Sequence, residues 1–252
     1  FEENGSFEDL MTSQLLFPST DRLATLLDAE RSDGPVNTDG HRAGLLTRPA
    51  VLVSDNPRSS PILRGLFIWD RFFCETFTLP PGLNTDEVAA ENLMALADPE
   101  RVSARERTEV ATGSPACAVC HDAINPPGFT LAHFGPLGEE WATHEIVYEG
   151  EGSVLAEIPL DGDGNVSGLH IDGEDQTLDG SRAMAELIHS SEQGQLCAAR
   201  QLFRATHLRE AASSDACHVR TLFDAVRSGE PILDILVTNA ARESVAVAWE
   251  AP

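Results

Sequence analysis

Residues 114–129 read SPACAVCHDAINPPGF, and within them Cys117, Cys120 and His121 form a C-x-x-C-H pentapeptide. Two thiols at that spacing serve three chemistries: covalent haem attachment, zinc binding and a redox disulfide. Haem c needs two thiols that reach two vinyl groups on one porphyrin edge, and an imidazole that meets the iron. One helical turn can carry all three. Ser114 followed by Pro115 reads as a cap and a first helical residue, so the motif falls on the first turns of a short helix. Asn125, Pro126, Pro127 and Gly128 are expected to end that helix at once.

The competing chemistries lack context. Zinc wants a second ligand pair, and although His133 follows Cys120 at a finger-like interval, the next histidine, His144, lies beyond the usual gap. A thioredoxin-like pair would follow a strand in a βαβ unit, whereas these cysteines follow a helical segment. The expectation is one covalently attached haem c, with Cys117 and Cys120 as thioether residues and His121 as the proximal iron ligand. The Pro126–Pro127 segment is expected to offer a backbone carbonyl to the imidazole N–H. For the distal position Met184 is the candidate ligand, with His144, His170 and His189 as imidazole alternatives, and Met94, a residue outside this list or an open position as the remainder. Met184 also suits a core position, since RAMAELI is an amphipathic helix.

Bulk properties narrow the setting. Forty-one acidic residues against 17 basic ones give a net charge of −24, which disfavours a nucleic-acid partner and suits basic partners or simple solubility. Every basic residue is arginine, as in a GC-rich genome or a salt-adapted surface. No apolar run is long enough to span a bilayer, and the N-terminus lacks a basic-then-apolar leader. The expectation is a soluble chain that is mature, processed or a fragment. Of the five cysteines, Cys197 and Cys217 sit in neighbouring helical segments and are expected to form a bridge, which implies an oxidising compartment. Cys74 has no assigned partner.

Helical signals dominate. Ser19 or Thr20 caps a helix over about 20–30; Ser60 and Pro61 open a long one with Ile62, Leu66, Trp69 and Phe73 on one stripe, which LPPGLN then breaks. Residues 85–97 and 98–113 read as two more helices, the second capped by Asp98. From 141 to about 180 the pattern turns to strands, HEIVYEG and SVLAEIPL, with Gly- and Asp-rich turns. Asp161, Asp163, Asn165 and Asp172 stand at calcium-loop offsets, but Val166 occupies the glycine position, so a plain acidic turn is the preferred reading. Helices return from Ser181 onward. SDACH resembles half a haem motif, yet Ser214 stands where its first cysteine would be. The fold class is therefore mainly α: a cytochrome c-like haem module with a small β-containing insertion, followed by a helical C-terminal module. The expected divisions are 1–40, 41–177 (haem module) and 178–252 (helical module).

The order of RAGLLTRPAVLVSD, SSPILRGLFIWDRFFCETFTLPPG, RERTEVATGSPACAVCHDAINPPGFTLAHFGPLGEEW and the later ELIHSSEQGQLCAARQLF resembles the large secreted planctomycete- and myxobacterium-type c-type cytochromes built from consecutive domains of unknown function. The resemblance spans about residues 40–240, and ACAVCHDAINPPGF with FGPLG is its most specific part. It implies an extracytoplasmic haem c protein, makes residues 1–40 the tail of a preceding helical domain, and carries Cys117, Cys120 and His121 over directly. That family often has His where this chain has Ala111, and an acidic residue where it has Gly135. The expected function is single-electron transfer by a mono-haem c-type cytochrome, with redox or scaffold protein partners in a periplasmic or extracellular assembly. A peroxide-handling haem enzyme with an open distal site and a structural subunit are the alternatives.

Overall fold

The computed structural model describes residues 4–54, 58–78, 84–149, 153–160, 162 and 164–241. Its architecture is mainly helical, with three antiparallel two-stranded sheets. The N-terminal part holds α1 (Phe7–Thr12), β1 (Leu15–Leu16), α2 (Asp21–Leu26), β2 (Val36–Asn37) and α3 (Pro49–Leu52), with β1 paired to β2. Thr20 caps α2 through Leu23 N, and the helix stops at Leu26 rather than near 30 because Asp28 turns left-handed, with φ 49°.

The central layer is built from α4 (Pro61–Ile68), α5 (Thr85–Leu93), α6 (Ala104–Thr112) and α7 (Pro115–Phe129). Ser60 and Pro61 open α4 as expected, the Ser60 hydroxyl accepting from Leu63 N. The buried stripe differs from the expected one. Pro61, Arg64, Gly65 and Ile68 face inward, and a π-helical turn at Trp69–Phe73 then buries Trp69, Phe72 and Phe73. The wider turn shifts the register by one residue, so a constant 3.6-residue stripe does not fit both halves. Cys74, left-handed at φ 55°, closes it.

The helix expected from Asp98 begins only at Ala104, capped by Ser103 through Glu106 N. Asp98 forms a local turn in which its side chain accepts from Glu100 N, 3.1 Å. The α6 N-terminus instead receives the buried carboxylate of Glu145, which accepts from Ala104 N at 2.8 Å and faces Arg58 at 3.3 Å. An anion at the positive end of the helix dipole stabilises it.

The β segment is two hairpins. β3 (His144–Tyr148) pairs with β4 (Val154–Pro159), and β5 (Asn165–Ile171) with β6 (Glu174–Asp179). The second hairpin separates the acidic residues: Asn165 opens β5 and Asp172 sits in the turn after it, while Asp161 and Asp163 lie outside the described residues. Asp172 and Gly173, both at positive φ, form the two-residue connection. The Asp172 carboxylate accepts from Glu192 N at 2.6 Å and Gln193 N at 3.0 Å. It thereby caps the helix α9 (Glu192–His207), which follows α8 (Gly180–Ser190) and precedes α10 (Ala216–Arg227) and α11 (Ile232–Ala240).

One apolar core draws on all three expected segments: Phe7 and Met11 from α1, Ile68, Trp69, Phe72, Phe73, Phe129, Leu131 and Phe134 from the centre, and Met184, Ile188, Phe203, Phe223 and Ile235 from the C-terminal helices. A disulfide joins Cys74 to Cys197, replacing the expected Cys197–Cys217 bridge. Cys197 is buried on the α9 face that meets the π-helical turn, whereas Cys217 is an exposed free thiol at the start of α10.

Candidate functional site

The C-x-x-C-H helix does not stop at its prolines; α7 runs through Pro126 and Pro127 to Phe129. A proline inside a helix strips one carbonyl, four residues back, of its donor. For Pro127 that carbonyl is Ala123 O, and the Trp69 indole N–H takes it at 2.9 Å. For Pro126 it is Asp122 O, on an exposed residue that water can serve. The helix therefore continues because a distant side chain supplies what the proline lacks.

Two glycines set the crossing of α4 over α7. A Cβ on Gly65 would lie 1.9 Å from Ile124 O, and one on Gly128 would lie 1.9 Å from Pro61 O. The two backbones approach closer than any side chain allows. Beyond α7, the turn FGPLG is gripped by buried arginines. Arg64 donates to Leu131 O at 3.1 Å, Phe134 O at 2.6 Å and Gly135 O at 2.7 Å. Arg42 donates to Gly138 O at 2.8 Å and pairs with Glu140 at 3.3 Å. Burial pulls the Arg64 guanidinium down to about 10, so it stays charged at neutral pH and its carbonyl partners compensate the charge.

Cys117 and Cys120 are free thiols on this rigid helix, one buried and one half-buried, and His121 is half-buried beside them. The His121 ring does not meet a proline-segment carbonyl. Its Nδ1 lies 2.9 Å from Asn125 Oδ1, one turn further along the same helix. Asn125 is buried and its Nδ2 donates to Thr112 Oγ1 at 2.9 Å, while the Thr112 hydroxyl donates to Thr108 O at 2.8 Å. The order of donors fixes the protons. Thr112 has given its hydrogen to α6, so it accepts from the Asn125 amide; Oδ1 must then face His121, whose Nδ1 carries the hydrogen. The Nε2 lone pair is left free for a metal.

That set fits haem c: two thiols three residues apart, an imidazole poised through Nε2, and apolar surface around them. Val119, between the two cysteines, is 82% exposed. The Ser114 hydroxyl at the head of α7 is buried without a partner. Trp69, Phe73 and Phe77 form an aromatic group by Ala123, with ring centroids 5.2 and 5.9 Å apart. Among the described residues no three His, Cys, Asp or Glu side chains converge to hold a bare metal ion.

Of the expected distal residues, Met184 and the three histidines are engaged otherwise. Met184 is 0% exposed, packed in the core on α8, which rests on α1, α9 and β6. His144 is exposed and bonded to Thr143, His170 sits 3.0 Å from Asp175, and His189 sits 3.2 Å from Glu186. Sequence reading missed Asn125, Thr112 and Trp69. The i,i+4 spacing of His121 and Asn125 is the available signal, but it acts only if the helix is known to pass the prolines.

The fold and site thus define a mainly helical protein organised around a C-x-x-C-H helix. A family described as PSCyt3, Protein of unknown function (DUF1588), matches residues 42–145. The match takes in Arg42, Arg64, the whole of α7 and Glu145, and stops before the C-terminal helices. No curated protein and no solved structure matches the chain.

Proposed function

We propose that this chain is a mono-haem c-type cytochrome module that passes single electrons within an extracytoplasmic assembly. The observation that carries the reading is the His121–Asn125–Thr112 chain of hydrogen bonds, which presents Nε2 as a ligand directly beside two free thiols. Cys117 and Cys120 would hold the group, each S–H adding across one vinyl C=C to leave a thioether. His121 would ligate the iron, which supplies one-electron chemistry when bound. Asn125 orients the imidazole and, being a neutral carboxamide, withdraws its proton less than a carboxylate would. That suits an electron carrier better than a peroxide-cleaving centre. The short name of the matched family, PSCyt3, points the same way. A disulfide between Cys74 and Cys197 suits an oxidising compartment, and no helix of the described residues is long and apolar enough to cross a membrane. The net charge of −24 steers basic redox or scaffold partners towards it.

The test is a reduced-minus-oxidised absorption spectrum of the purified chain made with a haem c maturation system, with the alkaline pyridine spectrum counting thioether bonds. One haem per chain with two thioethers is expected, and Cys117→Ala or Cys120→Ala should leave one. Protein that folds and binds no haem ends the proposal.

A further inference from the structure

The second axial ligand of the haem iron is open to inference from the fold, on the footing of the haem c reading above. The thiols and His121 would hold the porphyrin beside the amino-terminal half of α7, and three stretches are tied, directly or through a neighbour, to α7 within about one turn of His121. α6 packs on α7, with Thr112 holding Asn125. α5 packs on α6, and the Asn92 amide donates to Ala111 O at 2.9 Å, next to Thr112. Residues 69–78 are brought in by the Trp69 bond to Ala123 O.

Only soft or nitrogenous side chains suit the position, namely thioether or imidazole. α6 reads ARERTEVAT and has neither. Residues 69–78 offer Cys74 alone, whose sulfur is already in the disulfide. α5 with its C-cap offers Met94, two residues beyond Asn92. The other two methionines, Met11 and Met184, are 0% exposed in the apolar core, whereas Met94 is 77% exposed. α5 itself buries none of its residues: Val88 and Leu93 are only half-covered. A helix that covers its apolar side chains so poorly, packed on the helix that orients His121 through Thr112 and Asn125, matches one wall of a cofactor site.

We propose that Met94 supplies the distal ligand to the haem iron, making the pair His121/Met94. As an exposed side chain, Met94 can be replaced without disturbing the apolar core, so the test is clean. The haem-loaded wild type, Met94→Ala and Met94→His are compared by ferric absorption, midpoint potential and imidazole binding. The alkaline pyridine spectrum is recorded for each. In wild type the far-red band of a thioether–ferric iron bond is expected. Met94→Ala should lose that band, take up imidazole that wild type refuses, and show a lower potential. Met94→His should return a low-spin iron without the band. A band that survives in Met94→Ala, or that wild type never shows while its pyridine spectrum reports haem c, overturns Met94 and leaves the haem c reading standing. A wild type without haem c overturns both.

Discussion

Asn125 is where a single side chain governs the candidate iron site. Its Oδ1 is the acceptor that keeps the hydrogen on His121 Nδ1, so the strength of that acceptor sets how much electron density the ring passes on through Nε2. Asn125→Leu removes the acceptor and should raise the midpoint potential of the haem-loaded protein. Asn125→Asp replaces a carboxamide with a carboxylate and should lower it. Voltammetry of the two variants checks the opposed signs, which a purely structural role would not produce. Asn125→Leu should also cost about 1–3 kcal/mol of stability by leaving a half-buried imidazole N–H unmet.

A second residue-scale device is the stacked pair of His41 and His133, with ring centroids 3.6 Å apart. His133 Nδ1 faces Trp141 O at 2.9 Å, and His41 N and Ser181 Oγ tie the His41 backbone to Glu140 and α8. Burial, then the neighbouring His133, holds the His41 imidazole below its ordinary value; Glu140 and Asp179 oppose this and Arg182 adds to it. The unfolded chain therefore binds the proton more readily than the folded one. Stability should be full above the unfolded value near 6.5, and fall as the pH drops from there towards the folded value, by at most about 1.4 kcal/mol per pH unit. His41→Phe keeps the stack and should flatten the acid side of a denaturant-midpoint profile. An unchanged slope would place the acid sensitivity elsewhere.

Among the elements, α7 depends on its crossing with α4. Gly65→Ala would push a methyl into Ile124 O, and the two helices would have to separate. A loss of about 3 kcal/mol is expected by denaturation, together with poorer haem retention, since the same helix carries the thiols. Trp69→Phe keeps the ring packing but removes the donor to Ala123 O. It should cost about 1–3 kcal/mol, and amide exchange should quicken along residues 119–127. How legible each element was follows from the range of the forces that make it. The caps at Thr20 and Ser60 are local hydrogen bonds, and Pro115 presets the first helical dihedral of α7, so the starts of α2, α4 and α7 could be read from short stretches. The far end of α7 could not, because its continuation rests on an indole 54 residues earlier in the chain. The α6 start was misplaced for the same reason: Asp98-Pro99 is a good local cap, but Glu145 holds the helix from across the fold. The β5–β6 hairpin did announce itself in Asp172-Gly173, a pair whose turn preference outweighs its likeness to calcium ligands. At the site, Cys117, Cys120 and His121 are adjacent in sequence and needed no fold to be seen. Asn125 and Thr112, 13 residues apart, needed two helices in place.

At the scale of the whole molecule, the pairing of cysteines separates local expectation from global outcome. A spacing of 20 residues favours Cys197 with Cys217 on loop-closure entropy, yet the bond formed spans 123 residues, because only the finished core brings α9 against the π-helical turn. Closing so long a loop removes more freedom from the unfolded chain, and in the chain-entropy view the bridge contributes about 5 kcal/mol. The double variant Cys74→Ser, Cys197→Ser should lose up to that amount in urea denaturation, while Cys217→Ser, at an exposed position, should stay within about 0.5 kcal/mol. Thiol counting joins the disulfide to the haem reading. With Cys74 and Cys197 bridged and Cys117 and Cys120 consumed as thioethers, unreduced, denatured haem-loaded protein should bind one maleimide, at Cys217. The haem-free protein should bind three, at Cys117, Cys120 and Cys217. Peptide mapping that finds Cys217 blocked and Cys74 labelled would restore the helical-hairpin bridge and overturn the one seen here.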